Sequence, residues 1–308
     1  MNIIGPDSLI FGVEDLDGAM RYLSDYGLRR IESAPSGATF EAQDGTSAVV
    51  RLASDKGLAS PMAPSPNLRE AVYGVADRAA LERIGAELGR DREVRQGSDG
   101  VLHSTDADGY PIAFQVTIRR ALAVPQDAGN YPGCAPGRAL NLVAAVDDAI
   151  IRPSTLSHFV LFTHDAAQAE KFYQERLGFR TVDYFIGLGP FMRPAGTFEH
   201  HTLFLVQVPA HAPLGVQHFT FHLSSANALL KAGWEFCRKG YKSFWGPGRH
   251  ILGSNFFWYF NSPFGGLMEF DADMDRHDDN WVPRHMPCNA DTSQTFCFEA
   301  RPKFHPGA

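Results

Sequence analysis

The chain repeats one pattern in its two halves, and this repetition limits the folds open to it. Residues 22–30 (YLSDYGLRR) resemble residues 172–180 (FYQERLGFR), and residues 108–115 (DGYPIAFQ) resemble residues 264–271 (FGGLMEFD). A repeat of this size indicates one structural unit used several times, so it constrains the fold before any single element does. We therefore expect four units, two in each half, and each unit combines a strand, a helix and several further strands.

Local signals place the elements inside these units. An acidic or hydroxyl residue precedes each helical stretch and can accept a hydrogen bond from the first turn. Helices are predicted to begin at Asp15 or Asp17, at Asp77, at Asp165 and at Ser224 or Ser225. Apolar runs predict strands at 8–13, 38–42, 47–52, 70–75, 101–105, 112–117, 156–162, 181–185, 202–208, 216–223, 256–260 and 267–270.

A change of composition separates the two halves. Proline and glycine cluster between residues 121 and 154, at Pro125, Gly129, Pro132, Gly133 and Pro136 among others. Such residues interrupt regular structure and are typical of a linker. We predict a first domain over 1–120, a linker over 121–154, a second domain over 155–274 and a tail over 275–308. The tail lacks clear periodicity, and we expect it to cover a site on the second domain.

Composition excludes several classes of partner. The 308 residues carry a net charge of −7, which disfavours nucleic acid and anionic membrane surfaces. No apolar run approaches the ~18 residues of a membrane-spanning helix. The four cysteines have no CxxC spacing and form no disulfide framework, so reduced thiols and a cytoplasmic location are expected.

Residues able to do chemistry concentrate in the second half. Eleven of the twelve histidines follow residue 150. Residues 248–270 are predicted to form an apolar strand, a turn and a second strand that contains Glu269. Apolar residues flank this glutamate, and a buried carboxylate is costly unless it is paired or binds a metal. His250 and Tyr259 lie upstream and can reach the same place.

At this point the residues resemble a known family. The paired units are similar to the vicinal oxygen chelate superfamily, and the second half resembles the catalytic domain of type I extradiol (catechol-cleaving) dioxygenases. The motifs that carry the resemblance are Ser157-His158-Phe159, His200-His201-Thr202-Leu203, Gln217-His218-Phe219, and Gly248-Arg249-His250 continued through Tyr259 to Glu269. The resemblance implies an α+β fold of two such domains, each made of two βαβββ modules that form an open barrel.

The resemblance also implies a metal site. His158, His218 and Glu269 take the positions of the metal ligands. Two imidazoles and one carboxylate form a facial triad, which leaves adjacent positions open and suits non-haem Fe(II). Mn(II) could substitute in the same ligand set. The expected substrates are a catechol and O₂.

Further roles follow from the same resemblance. His201 takes the acid–base position, and Tyr259 and His250 take positions that hydrogen-bond the substrate oxygens. We assign His200, Arg249, Phe191 and Trp258 to substrate binding. Leu252 departs from the family, in which a polar residue is common at this place. Any of Arg193, Arg249 and Arg284 could instead bind a carboxylate on the substrate.

The first half lacks the metal ligands. Ala113 occupies the position that corresponds to Glu269, and no histidine lies on the first strand. We expect this half to bind no metal, to support the second half and to take part in subunit contacts within a homo-oligomer.

The function predicted from these residues is extradiol cleavage of a substituted catechol next to its two hydroxyls. Two alternatives stay open: a metal-dependent isomerase or lyase of the glyoxalase kind, and a metal-free protein of the same superfamily that binds small molecules. The sequence also leaves open whether the catechol is monocyclic, bicyclic or carboxylated, and which adjacent ring bond is cut.

Overall fold

The computed structural model describes residues 1–124, 127–144 and 150–298, and they build two mixed β-sheets with short helices. The first half forms two βαβββ modules, as the repeat predicts. Their elements are β1 (Ile3–Val13), α1 (Leu16–Tyr26), β2 (Arg29–Ala34), β3 (Gly37–Glu41), β4 (Ser47–Leu52), β5 (Asn67–Val75), α2 (Arg78–Leu88), β6 (Arg95–Gln96), β7 (Leu102–Thr105) and β8 (Pro111–Val116).

The second half repeats this order and adds a tail. Its two modules contain β9 (Thr155–Thr163), α3 (Ala166–Leu177), β10 (Phe179–Ile186), β11 (Gly189–Pro194), β12 (Leu203–Gln207), β13 (Val216–His222), α4 (Ala226–Arg238), β14 (Ser243–His250), β15 (Phe256–Asn261) and β16 (Leu267–Ala272). The tail contains β17 (Arg284–Pro287), α5 (Ala290–Ser293) and β18 (Gln294–Cys297).

Each sheet joins two modules through their first strands. In the first sheet β1 pairs antiparallel with β5, and in the second sheet β9 pairs antiparallel with β13. The last strand of every module returns parallel to its first strand, which gives the orders β2-β3-β4-β1-β5-β8-β7-β6 and β17-β10-β11-β12-β9-β13-β16-β15-β14-β18. This α+β architecture of paired βαβββ modules is the predicted one.

The helices form where the capping signals predict them. Asp15, Asp77, Asp165 and Ser225 each accept a hydrogen bond from the backbone of the first turn. Helix α1 buries Ala19, Tyr22, Leu23 and Tyr26, the spacing of one face of a helix. The other helices bury a similar face, so every module packs its helix through an apolar stripe.

One apolar core runs through both halves. The ring of Phe11 on β1 lies 4.8 Å from that of Phe219 on β13, and Tyr26 on α1 stacks on Phe270 on β16 at 4.0 Å. The Tyr26 hydroxyl also donates a hydrogen bond to the backbone carbonyl of Glu269. The first half thus supports the strand that carries the candidate carboxylate.

The tail is more regular than its sequence indicates. Strand β17 pairs with β10, and β18 pairs with β14, so the tail attaches to both edges of the second sheet. The described parts of the predicted linker, 121–124, 127–144 and 150–154, contain no helix or strand. Pro125 and residues 126, 145–149 and 299–308, which the predicted linker and tail include, lie outside the described residues. No described helix is long and apolar enough to span a membrane.

Candidate active site

Three neighbouring strands bring together the predicted metal ligands. His158 lies on β9, His218 on β13 and Glu269 on β16, and β13 pairs with both of the other strands. Thr220 on β13 lies opposite His158 on one side and Glu269 on the other. Since residues i and i+2 share a face of a strand, His218 points to the same side as Thr220, and the three side chains converge.

The three side chains have the spacing of ligands to one ion. Nε2 of His158 lies 3.2 Å from Nε2 of His218 and 3.3 Å from Oε2 of Glu269, and the His218 nitrogen lies 3.4 Å from the same oxygen. Metal–ligand bonds of about 2.1 Å at right angles would separate neighbouring ligand atoms by about 3.0 Å. Among the described residues, this is the one cluster of three such side chains with ligand atoms so close together.

The carboxylate of Glu269 supports the same interpretation. Its side chain is fully buried, and neither oxygen has a hydrogen-bond partner. Burial alone would raise the pKa of Glu269, but His158, His250 and His218 outweigh that effect and hold the pKa below its usual range. An ionised, buried carboxylate without donors is the group that a divalent cation stabilises.

The outer nitrogens of both histidines are already bonded. Nδ1 of His158 lies 2.9 Å from the Ser157 hydroxyl, and Nδ1 of His218 contacts the side-chain oxygen of Gln217. Such contacts fix the ring orientation and leave Nε2 to bind a metal. Burial, the largest effect, lowers the pKa of His218 to about 3, so this ring is neutral near pH 7, as a ligand must be.

Next to this cluster, His201 begins a buried chain of hydrogen bonds. Its ring centre lies 4.1 Å from that of His158, and its Nδ1 lies 2.9 Å from Nδ1 of His200. Nε2 of His200 lies 2.7 Å from a carboxylate oxygen of Asp183. Arg284 on β17 donates to the same carboxylate from its backbone and its guanidinium. The tail therefore supports His201 through two intervening side chains.

The chain of hydrogen bonds fixes the tautomers. Because Asp183 only accepts, His200 donates from Nε2, so a neutral His200 accepts at Nδ1 from the Nδ1–H of His201. Nε2 of His201 is then the unprotonated nitrogen. Burial, and then the neighbouring histidines, lower the pKa of His201 well below its usual range. His201 is therefore a neutral imidazole with a free lone pair.

His250 and Tyr259 form a second polar pair beside the cluster. Nε2 of His250 lies 3.2 Å from the Tyr259 hydroxyl, and its Nδ1 lies 3.1 Å from the carbonyl of Ser293 on α5. Burial, followed by the charge of Glu269, raises the pKa of Tyr259 well above its usual range. The tyrosine is a phenol that can donate a hydrogen bond.

One cavity of about 530 Å³, a volume that includes its mouth, opens beside the candidate ligands. Its polar wall contains His158, His201, His218, His250, Asn255 and Tyr259, and its other walls contain Phe185, Leu188, Phe191, Phe204, Trp245, Leu252, Cys288 and Ser293. The cavity therefore combines an apolar surface with a group of hydrogen-bond donors and acceptors.

Three residues predicted to bind substrate lie elsewhere, whereas Phe191 lines the cavity. Trp258 alternates with Tyr259 on β15, so it faces α4, where its ring covers Gly233. Its indole N–H donates a hydrogen bond to the hydroxyl of Ser243 on β14. Arg249 pairs with Asp273 and lies over the Phe256 ring. His200 is fully buried behind His201. None of these three residues lines the cavity, and their expected substrate contacts stay predictions.

The sequence analysis missed several cavity residues. Trp245 stacks on Tyr259 at 5.3 Å, and Asn255 is buried with its side-chain oxygen unpartnered. Trp245 precedes His250 on β14 and Asn255 follows it in the loop before β15, and only the folded chain shows that both line the cavity. His222 lies four residues after His218 on β13. It is not part of the candidate metal site, because its ring pairs with Asp271 at 2.7 Å and with Glu199 at 3.4 Å.

Comparisons with known proteins agree with this architecture. Residues 155–270 match the family model described as the Glyoxalase/Bleomycin resistance protein/Dioxygenase superfamily. This match extends from the start of β9 into β16. Metapyrocatechase 2 of Cupriavidus necator is 33% identical to the chain over 198 residues, which cover 64% of the chain and 60% of that relative. The match thus spans about three fifths of the length of Metapyrocatechase 2.

Solved structures extend the match from the superfamily domain to the fold of the whole chain. The Mn(II)-bound glyoxalase of Novosphingobium aromaticivorans superposes with a TM-score of 0.77 at 19% identity, over 100% of this chain and 96% of that one. The 2,3-dioxygenase LapB of Pseudomonas sp. KL28 gives 0.73 at 17% identity, over 93% and 98%. The chain therefore has the two-domain vicinal oxygen chelate fold that the motifs predict.

Proposed function

We propose that this chain is an Fe(II)-dependent extradiol dioxygenase, which cleaves the ring of a catechol next to its two hydroxyls and incorporates both atoms of O₂. The observation that carries the proposal is the buried, unpartnered carboxylate of Glu269, with two imidazole nitrogens 3.3 and 3.4 Å from one of its oxygens. The relatedness to Metapyrocatechase 2 supports the same reaction.

In this proposal His158, His218 and Glu269 hold the ion. When bound, Fe(II) supplies adjacent open positions for the two catechol oxygens and for O₂, together with a path for electron density between them. The outer contacts of the ligands, from Ser157 to His158 and from Gln217 to His218, keep both rings oriented for that role.

His201 moves the proton. Its unprotonated Nε2 accepts a proton from a catechol hydroxyl as the substrate binds, and the same nitrogen returns the proton to an oxygen as the ring opens. His200 and Asp183 hold the ring in the tautomer that makes Nε2 the base. Burial keeps the pKa of His201 low, so the base is free of a proton before the substrate arrives.

Tyr259 and His250 orient the substrate. Tyr259 has a single hydroxyl proton, which it donates to Nε2 of His250 in the structure and can turn toward a catechol oxygen when substrate binds. The Ser293 carbonyl holds the His250 ring through Nδ1. Phe191 lies 5.0 Å from the ring of His201 and forms the adjoining wall. The aromatic walls exclude water from the place where the ring opens.

A second candidate is a Mn(II)-dependent isomerase of the glyoxalase kind, because the Mn(II)-bound glyoxalase has the same fold with a TM-score of 0.77. Such chemistry requires a second carboxylate to act as a base. The nearest one on the same strand, Asp271, pairs with His222 instead of facing the cavity. Ala113 is buried at the corresponding place in the first half.

Oxygen uptake separates the two candidates. The metal-free protein would be loaded with Fe(II) or with Mn(II) without oxygen, and then mixed with catechols in air-saturated buffer. A dioxygenase consumes one O₂ per catechol and forms a yellow ring-opened product, whereas an isomerase consumes none. The Fe(II) assignment predicts more turnover with Fe(II) than with Mn(II). Absence of oxygen uptake with every catechol and both metals would refute the proposal.

The proposal also covers the cellular location and the oligomeric state of the protein. We place the enzyme in the cytoplasm, because its four cysteines lack CxxC spacing and do not have the arrangement of a secreted disulfide framework. We also propose that it forms homo-oligomers through its first half, as the superfamily resemblance implies. Light scattering of the purified protein tests the oligomer, and a monomer at micromolar concentration would contradict it.

A further inference from the structure

We propose that the cavity accepts catechols with a neutral, apolar ring substituent and excludes those with a carboxylate. This inference rests on the proposed function, since it names the class of catechol that the site takes. It decides among substrates that the sequence leaves open, and it depends on what lines the cavity opposite the candidate ligands.

One wall of the cavity is apolar and closely packed. Phe185, Phe191, Phe204 and Leu252 belong to one buried cluster, and Leu188, Met286 and Cys288 pack against it. The rings of Phe191 and Phe204 stack at 3.9 Å, and Phe185 meets Phe191 edge to face at 5.3 Å. A substituent that leaves the metal cluster in this direction meets carbon and sulfur atoms.

No described arginine or lysine lines the cavity. The three arginines that could bind a carboxylate have other partners. The guanidinium of Arg193 lies 2.8 Å from Asp279, that of Arg249 lies 2.9 Å from Asp273, and that of Arg284 holds Asp183. A substrate carboxylate therefore finds no free guanidinium within this site.

The histidines of the cavity do not replace a cation. His158 and His218 are the candidate ligands, and His250 is held between Tyr259 and Ser293. Nδ1 of His201 is hydrogen-bonded to His200, and its other ring nitrogen is the proposed base. A carboxylate placed among Phe185, Phe204 and Leu252 would lose its hydration without gaining a counter-charge, whereas an alkyl group gains from the same burial.

A matched pair of substrates tests the inference on the Fe(II)-loaded enzyme. An isopropyl group has the same number of heavy atoms and the same branching as a carboxylate, so 4-isopropylcatechol is compared with 3,4-dihydroxybenzoate, and 3-isopropylcatechol with 2,3-dihydroxybenzoate. We expect kcat/KM from oxygen uptake to be at least 100-fold higher for one isopropyl compound than for either acid. The methyl ester of 3,4-dihydroxybenzoate should recover at least 10-fold over its acid. Equal values for acid and isopropyl compound would overturn the inference.

A binding measurement makes the result independent of turnover. The Mn(II)-loaded protein is titrated with the same compounds under nitrogen, and heat or the fluorescence of tryptophan is recorded. We expect Kd for the isopropyl compounds to be at least 30-fold lower than for the acids. If no compound is turned over but this preference persists, the dioxygenase proposal fails and the substituent inference stands. If the acids bind as tightly, the inference fails whatever the turnover shows.

An introduced charge tests which wall carries the selectivity. Leu252→Arg places a cation in the apolar wall and is expected to shift the ratio of kcat/KM at least 10-fold toward the acids. Leu230→Arg makes the same change on the exposed side of α4, where Leu230 is 43% exposed, and should leave the ratio unchanged. A folded Leu252→Arg protein with an unchanged ratio would show that this wall does not meet the substituent. If Leu252→Arg does not fold, the comparison of isopropyl compounds with acids on the parent protein still tests the inference.

Discussion

At the scale of single residues, the candidate site separates binding of the metal from transfer of the proton. Nε2 of His218 points to the candidate metal position beside Glu269. His201 contacts the ring of His158, but it donates its own hydrogen bond to His200. The two histidines are close in space and differ in what fixes their rings. Substitutions should therefore have separable effects.

We expect His201→Ala to retain iron and to lose about 100-fold or more in kcat, because only the acid–base group is removed. His218→Ala should lose the iron itself, because one of three ligands is gone. Metal analysis after gel filtration, together with oxygen uptake, measures both effects. His211→Ala, in an exposed loop, is the control and should match the parent. A His201→Ala enzyme with parental kcat would remove that residue from the mechanism.

The buried ion pairs of His222 predict a dependence of stability on pH. Burial alone would lower the pKa of His222, but the carboxylates of Asp271 and Glu199 raise it well above its usual range. The unfolded value is about 6.5, so this stabilisation is complete below about pH 6.5 and is lost as pH rises through the folded pKa. His222→Gln should cost about 3 kcal/mol at pH 6 and less at pH 9.

Urea denaturation at both pH values measures that difference in the free energy of unfolding. His211→Gln serves as the exposed control and should track the parent throughout. A cost of His222→Gln that is the same at pH 6 and pH 9 would show that the His222 side chain is not charged in the folded protein.

At the scale of elements, the signals that worked were those with a local physical cause. The caps at Asp15, Asp77 and Asp165 and the apolar faces of the helices predicted four helices. The presence of four similar modules, two in each half, followed from the sequence repeat. The convergence of His158, His218 and Glu269 followed from motif spacing through the family resemblance, and the distances now support it.

The elements that sequence reasoning missed lack such a cause. Strand β2 is exposed along its length and rich in charge, so it shows no alternation. Strand β11 begins with glycine and proline, and β17 and β18 contain only four residues each, whose pairing partners lie far away in sequence. Trp258, which we expected to bind substrate, lies on the α4 side of β15. An aromatic run such as Phe256 to Phe260 does not itself reveal which residues face the cavity.

Strand β17 gives a test of how the tail supports the site. Arg284→Met removes the guanidinium from the buried carboxylate of Asp183 and should cost about 2 kcal/mol. Hydrogen exchange of the backbone amides in β17 should accelerate. The value of kcat should fall, because Arg284 no longer holds Asp183, the hydrogen-bond partner of His200. Hydrogen-exchange mass spectrometry with oxygen uptake records both effects. The control is Arg238→Met at an exposed ion pair on α4. Unchanged exchange in β17 would contradict this coupling.

At the scale of the whole molecule, the two halves share one core, so they should unfold together. Phe11, Tyr22 and Tyr26 of the first half are packed against Phe219, Phe264 and Phe270 of the second. The half without metal ligands is therefore part of the support for strand β16.

Tyr26→Phe tests this dependence with a single atom. The change removes the hydrogen bond to the Glu269 carbonyl and leaves that group buried, so it should cost about 1–2 kcal/mol. Tryptophan fluorescence reports mainly on the second half and circular dichroism on both, and their denaturation curves should coincide. Tyr131→Phe, at a tyrosine that is 69% exposed, is the control. Two separate transitions would show that the halves are independent.

Strand β15 has a consequence for protein engineering. Its odd-numbered residues, Phe257 and Tyr259, lie on the side of Trp245 and His250, while Trp258 and Phe260 lie toward α4. The backbone of β15 thus separates the cavity from the contacts with α4. Libraries that vary Phe185, Leu188 or Leu252 on the far side of that cavity can search for new reactivity while the helix contacts stay intact.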